Sequence, residues 1–275
     1  MVCRINFTPN YDCGQVQVNL VNLVTDGYER KARLYPALLL IAPIVITIVG
    51  MLAGRLSTLE SFGTVVAGSG GAFLLVQLAR DAGKERERAF FETWGGLPSV
   101  AVHRHRDTRI EPITKARYHK KLSTLVKGTK APSPEEETAD PFKADQVYAS
   151  WSSYLRVHTR DVKKYPLVFH ENVNYGYRRN LCGLRRVGII LSALSSAVSA
   201  FWLYHQRSVT GEVREETVVA FACTVVILSL WIFRFSPDWV RLAADAYAER
   251  LAESVDSIAD KRGTAEPKPR KTGDA

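Results

Sequence analysis

The chain has 275 residues, with 37 Lys and Arg against 28 Asp and Glu for a formal net charge of +9, yet its mean hydropathy is only −0.09. An average so near neutral conceals long uncharged runs beside a strongly charged remainder. The four cysteines, Cys3, Cys13, Cys182 and Cys223, are too few and too scattered for a disulfide framework or a zinc site, and the opening Met1-Val-Cys-Arg-Ile-Asn6 lacks the apolar run of a signal peptide.

Residues 1–29 read as an N-terminal segment. Val16, Val18 and Leu20 alternate with polar residues after a turn signal at Asn10-Tyr-Asp-Cys-Gly14, which suits a small β-hairpin; an amphipathic helix over Val16 to Val24 competes with it. Two uncharged runs follow, Leu34 to Gly54 and Ser61 to Ala79. Two more come late in the chain, Val187 to Tyr204 and Thr217 to Phe233. Each approaches the roughly 20 residues needed to cross about 30 Å of hydrocarbon. A core helix of a soluble protein normally keeps one polar face, so these runs predict four membrane spans in two helical hairpins, residues 30–79 and 187–235. The Ser61 to Ala79 run is the least helix-prone, because Gly63, Gly68, Gly70 and Gly71 lie within it.

Arg30, Lys31 and Arg33 precede the first run, while the link from Arg55 to Glu60 is short and nearly neutral. The link from His205 to Glu216 sets Arg207 and Arg214 against Glu212, Glu215 and Glu216. This asymmetry predicts N-terminus, central domain and C-terminus all in the cytoplasm. The predicted fold class is thus a mainly α membrane protein, its two hairpins flanking a basic, mostly helical cytoplasmic domain.

That domain, residues 80–186, holds 22 Lys and Arg against 13 Asp and Glu, the net charge of the whole protein. Arg80 to Trp94 predicts a charged helix stopped by Gly95-Gly-Leu-Pro98. Ser99 to Val102 suits a short strand or extended segment. Thr114 to Lys127 predicts a helix, as do the glutamates after Pro134 and the segment from Asp140-Pro141 to about Thr159. Tyr148, Trp151, Tyr154 and Leu155 recur at core spacing there. Ser236-Pro-Asp-Trp239 is a helix start. The C-terminal helix, residues 236–261, should run to about Asp260 and pack on the domain or on a second copy. Residues 262–275, rich in Lys, Pro and Gly, read as a disordered tail.

No HExxH pair, GxxxxGK[ST] loop or GxSxG elbow is present. Gly68-Ser-Gly-Gly71 sits in an apolar run, where glycines serve close packing. His103 and His105 with Asp107 suggest a metal only until the flanking arginines are counted. The chain therefore reads as non-enzymatic, without cofactor or metal; catalysis on a phosphorylated lipid would need His119 or His158 as base.

Two features point to chemistry. Trp94, Arg104, Arg106, Arg109, Lys115, Arg117 and Tyr118 interleave cations with aromatics, as do Arg178 and Arg179 beside Tyr175 and Tyr177. Such residues meet phosphates and stack bases of a single strand, and at the second cluster lipid headgroups suit them equally. In the third run, Ser192, Ser195, Ser196 and Ser199 share one helical face. That face serves either helix packing or a water-filled path in an oligomer.

Trp94-Gly-Gly-Leu-Pro98, His103-Arg-His-Arg-Asp107, Thr114-Lys-Ala-Arg-Tyr118 and Glu171-Asn-Val-Asn-Tyr-Gly-Tyr-Arg-Arg-Asn-Leu181, with the paired hairpins, resemble the transmembrane effector of Hailong-type bacterial anti-phage defence systems. The resemblance implies a homo-oligomeric, ion-channel-like protein of the bacterial inner membrane. It also implies a single-stranded DNA oligomer as ligand, made by a partner nucleotidyltransferase and holding the effector inactive until phage nucleases remove it. A non-conducting membrane scaffold that binds acidic lipid or a protein partner is the alternative.

Overall fold

The computed structural model describes residues 27–52 and 71–258, and among these the regular secondary structure is all helical, without strands. A π-helical turn, Glu29–Leu34, leads into α1, Tyr35–Leu52. The remaining helices are α2 (Gly71–Trp94), α3 (Pro98–Ala101), α4 (Pro112–Leu125), α5 (Pro134–Ala139), α6 (Pro141–His158), α7 (Pro166–Thr210), α8 (Glu215–Phe233) and α9 (Pro237–Glu253), closed by a 3-10 turn at Ser254–Ser257.

Three of these helices are long and apolar enough to cross a membrane: Arg30–Leu52, Pro166–Thr210 and Glu215–Phe233. The expected span at 61–79 lies outside the described residues up to position 70; its last nine residues form the start of α2. The segment over 1–26 and the tail over 262–275 also lie outside them.

The residue distribution on the late helices is inverted relative to a water-soluble bundle. Ser192, Ser195, Ser196, Ser199, Thr217 and Thr224 are buried, whereas Leu194, Phe201, Val219 and Phe233 are exposed. Water would penalise that arrangement and lipid would not, because apolar tails do not drive leucines inward and small side chains let helices approach. Together with the three candidate spans it identifies a membrane protein.

Contacts at glycine show how close the approach is. A Cβ on Gly188 would overlap the Trp231 ring, and one on Gly50 would lie 2.5 Å from the Ala220 Cβ. Thr217 donates to the Gly50 carbonyl at 3.2 Å, and Thr47 donates to the Ser195 carbonyl at 3.3 Å.

The spine is α7, whose 45 residues extend roughly 68 Å at the usual rise. Its first half packs in the polar domain and its second half is the uncharged run, with no break at Arg186. Where the runs meet the domain, Arg185 donates to the Trp231 and Ile232 carbonyls at 3.1 and 2.6 Å, satisfying the open end of α8.

Local signals set the domain helices. Gly95 and Gly96 end α2 at φ +75° and +124°, and the Gly96 N–H returns to the Phe91 carbonyl at 2.7 Å. Ser133 and Glu136 form a capping box on α5, Asp140 caps α6 and Ser236 caps α9. The extended segment expected at Ser99 to Val102 is instead the turn of helix α3. Pro98 presets φ at its first position, and Ala101 and Val102 bond back to Leu97 and Pro98 at 2.9 and 3.0 Å. The C-terminal helix ends at Glu253, short of Asp260, and tightens into the 3-10 turn.

The domain core gathers Val102, Leu122, Tyr148, Trp151 and Leu155 with Ala248 and Leu251 of α9 and Val255 of the 3-10 turn. A second cluster, around Trp231, Leu181, Leu184, Val76 and Phe235, joins the domain to the apolar helices. Thus α9, only three residues beyond α8, folds back as a wall of the domain.

Candidate anion-binding cleft

The chain from Val102 to Ile110 is a loop, and buried polar groups hold its shape. Lys115, 4 % exposed, donates from Nζ to the carbonyls of Arg104, at 2.7 Å, and Asp107. The Glu137 carboxylate accepts from the His105 N–H and the Tyr148 hydroxyl, both at 2.8 Å. His119 Nε2 bonds the His103 carbonyl at 2.8 Å. Burial lowers the His103 imidazole to about 3 and that of His119 to about 4, so both are neutral near pH 7. Burial also lowers the Lys115 ammonium.

With its loop fixed, Arg104 makes a two-pronged bond to Asp145 of α6 (2.8 and 2.7 Å) and reaches the Gly95 carbonyl at 2.8 Å. Arg109 bonds Asp107 and, at 2.5 Å, Asp245 of α9. Burial alone would raise the Asp107 carboxyl, but hydrogen bonds and charge from Arg109 outweigh it and hold that group below its ordinary value. Arg109 is raised in turn: burial opposes its charge, and Asp107 and Asp245 overcome that opposition.

Arg104, Asp107, Arg109 and Asp245 border a cleft of about 440 Å³ that also holds Trp94, Arg106, Thr108 and Arg241. Arg241 lies 3.7 Å from Asp245. Arg106 is exposed and has no ion pair among the described residues. Four guanidiniums against the three carboxylates that pair with them, Asp107, Asp145 and Asp245, leave the cleft positive, with an indole on its wall, an arrangement suited to a phosphate ester carrying a ring.

The eight residues expected to bind nucleic acid thus separate. Arg104, Arg106 and Arg109 meet in the cleft. Lys115 and Tyr118 are buried beneath the surface as supports. Arg117 pairs with Asp256 at 2.8 Å and is absent from the cleft lining. Arg178 donates to the Trp239 carbonyl at 3.0 Å and stacks over that indole at 4.9 Å, while Arg179 pairs with Glu87 at 3.0 Å. Both belong to the junction with the apolar helices.

The serine face is covered within a single chain. Ser199 bonds Thr47 at 3.1 Å, and Ser192 and Ser196 have buried hydroxyl oxygens without a partner. A path through an oligomer would need this face uncovered. Among the described residues no group of three or more His, Cys, Asp or Glu could hold a metal ion.

Sequence reasoning missed Arg241, Asp145 and Asp245, which come from distant helices and carry no motif. Comparison with models of known protein families, with characterised proteins and with solved structures finds no match for this chain.

Proposed function

We propose that the protein is a ligand-gated membrane effector. Its cytoplasmic domain takes a phosphate-bearing ligand, a nucleotide or a single-stranded DNA oligomer, in the arginine cleft, and occupancy changes the helices that cross the bilayer. The observation that carries this reading is where the cleft lies. Trp94 and Gly96 on one wall lie at the end of α2, and Arg241 and Asp245 on the other lie in the first half of α9, which follows α8 after three residues.

Asp245 holds Arg109 by a hydrogen bond of 2.5 Å. A phosphate that takes that guanidinium displaces the carboxylate and weakens the hold of the loop on α9. Differential contact of this kind biases two arrangements of the attached helices. By the resemblance noted above, the effector is a homo-oligomer of the bacterial inner membrane with an ion-channel-like output in anti-phage defence, and its ligand comes from a partner nucleotidyltransferase.

Oligonucleotide binding to the detergent-solubilised protein across a salt series tests the ligand. Affinity should fall with salt in proportion to the phosphates contacted, and Arg106→Glu should weaken it and flatten the slope. Unchanged affinity in that variant removes the cleft from the account.

The second reading, a non-conducting scaffold on acidic lipid, is favoured by the girdle at the junction. There Arg178 and Arg234 lie 4.9 and 4.6 Å from the Trp239 ring and Arg186 is exposed, a pairing that suits lipid headgroups. Ion flux in proteoliposomes separates the two.

A further inference from the structure

A smaller cavity of about 270 Å³ adjoins the arginine cleft. The two share Pro98 as a wall, and α9 contributes Arg241 and Asp245 to the first and Ala244 and Tyr247 to the second. We infer that this cavity receives a nucleobase of the ligand whose phosphate lies in the cleft, an inference that rests on the phosphate reading of that cleft.

Flat walls are the first reason. The rings of Tyr175 and Tyr247 are parallel to within 5°, with centroids 6.5 Å apart, and the Arg179 guanidinium lies 5.5 Å from the Tyr175 ring. Aromatic faces and guanidinium planes are what unstacked bases lie against.

Edge chemistry is the second. Arg156 lines the cavity half-buried, and its bond to the Ser152 hydroxyl at 3.0 Å leaves it without a carboxylate partner among the described residues. Asn172, also half-buried, has no side-chain hydrogen bond among them. An amide and a guanidinium together offer both donors and acceptors, the pattern that reads the edge of a heterocycle.

Size and polarity exclude the alternatives. The cavity falls below the roughly 300–1,000 Å³ of sites for drug-sized ligands, which suits one ring system. Its charged and amide groups would be left unsatisfied by an acyl chain. Occupancy would also be felt beyond the cavity. Glu87 on its wall accepts from the Tyr175 hydroxyl at 2.7 Å and from Arg179 at 3.0 Å, tying α2 to α7.

The test compares an oligothymidylate with an abasic deoxyribose-phosphate strand of the same length and charge, on the full chain in detergent. The abasic strand should bind about tenfold more weakly, the usual scale of one stacked base. Asn172→Ala and Arg156→Gln should each bring the oligothymidylate down toward the abasic affinity. Equal, salt-dependent binding of both strands by the unaltered protein overturns the base pocket and leaves the phosphate cleft standing. A preference that persists in both variants places base recognition elsewhere and overturns it too. Binding of neither strand at low salt overturns the cleft and the pocket together.

Discussion

Arg109 and Asp245 are 136 positions apart in the chain, and a 2.5 Å hydrogen bond joins them. The bond fastens the loop that carries Arg104, Arg106 and Arg109 to the helix that follows α8, and it makes Asp245 an internal competitor for any anion. Asp245→Asn should therefore tighten oligonucleotide binding several-fold and steepen its salt dependence, because one negative charge leaves the cleft. Fluorescence anisotropy at two salt concentrations checks this; weaker binding would mean that Asp245 supports the site.

Neighbouring arginines should behave differently on replacement. Arg104 is 8 % exposed, and Arg104→Ala leaves Asp145 and the Gly95 carbonyl without their donor, costing about 2 kcal/mol. Arg106→Ala removes an exposed side chain and should stay within about 0.5 kcal/mol. Thermal unfolding in detergent separates the two, and equal losses would contradict the placement of Arg104 as a strut.

Gly188 lies flat against the Trp231 indole, with no room for a Cβ. Gly188→Leu forces α7 and α8 apart at the membrane junction and should cost more than about 2 kcal/mol. Ser192→Ala, by contrast, removes a buried hydroxyl oxygen that has no partner, and should be neutral or slightly stabilising. Unfolding midpoints check both. A conductance change in Ser192→Ala with unaltered stability would favour a path along that face over packing.

Acid should loosen the domain through two histidines. Their folded values, about 3 for His103 and about 4 for His119, lie below the ordinary 6.5, so between those limits the unfolded chain binds more protons. Stability from this source is fully present above pH 6.5 and is lost as pH falls toward 4, at up to about 1.4 kcal/mol per pH unit per histidine. Midpoints measured from pH 8 to pH 5 should be level above 7 and fall below 6.5. A level profile throughout would contradict the burial of these rings.

Much of the architecture is legible in residue patterns because charge and hydropathy change abruptly. The four arginines from Arg178 to Arg186, followed by uncharged Val187, announce where α7 passes from domain to apolar surroundings. The cleft is half legible. Arg104, Arg106 and Arg109 are close in sequence and sit in one loop, so local geometry brings them together. In α4, Lys115, Tyr118 and Leu122 fall on one buried face at helical spacing, which marks Lys115 as a support and turns Arg117 away from it. Asp145, Asp245 and Arg241 were not legible, because pairing across distant helices is set by packing and leaves no local pattern. Three residues of α-turn at Ser99 to Ala101 are likewise too few for a period to distinguish helix from strand.

Ion flux through proteoliposomes containing the full chain, with and without single-stranded oligonucleotide on the side of the domain, tests the central claim most directly. The account predicts that the oligonucleotide changes the flux of the unaltered protein and leaves that of Arg106→Glu unchanged at the same concentration. Flux that is absent, or that is indifferent to oligonucleotide in both proteins, would contradict it.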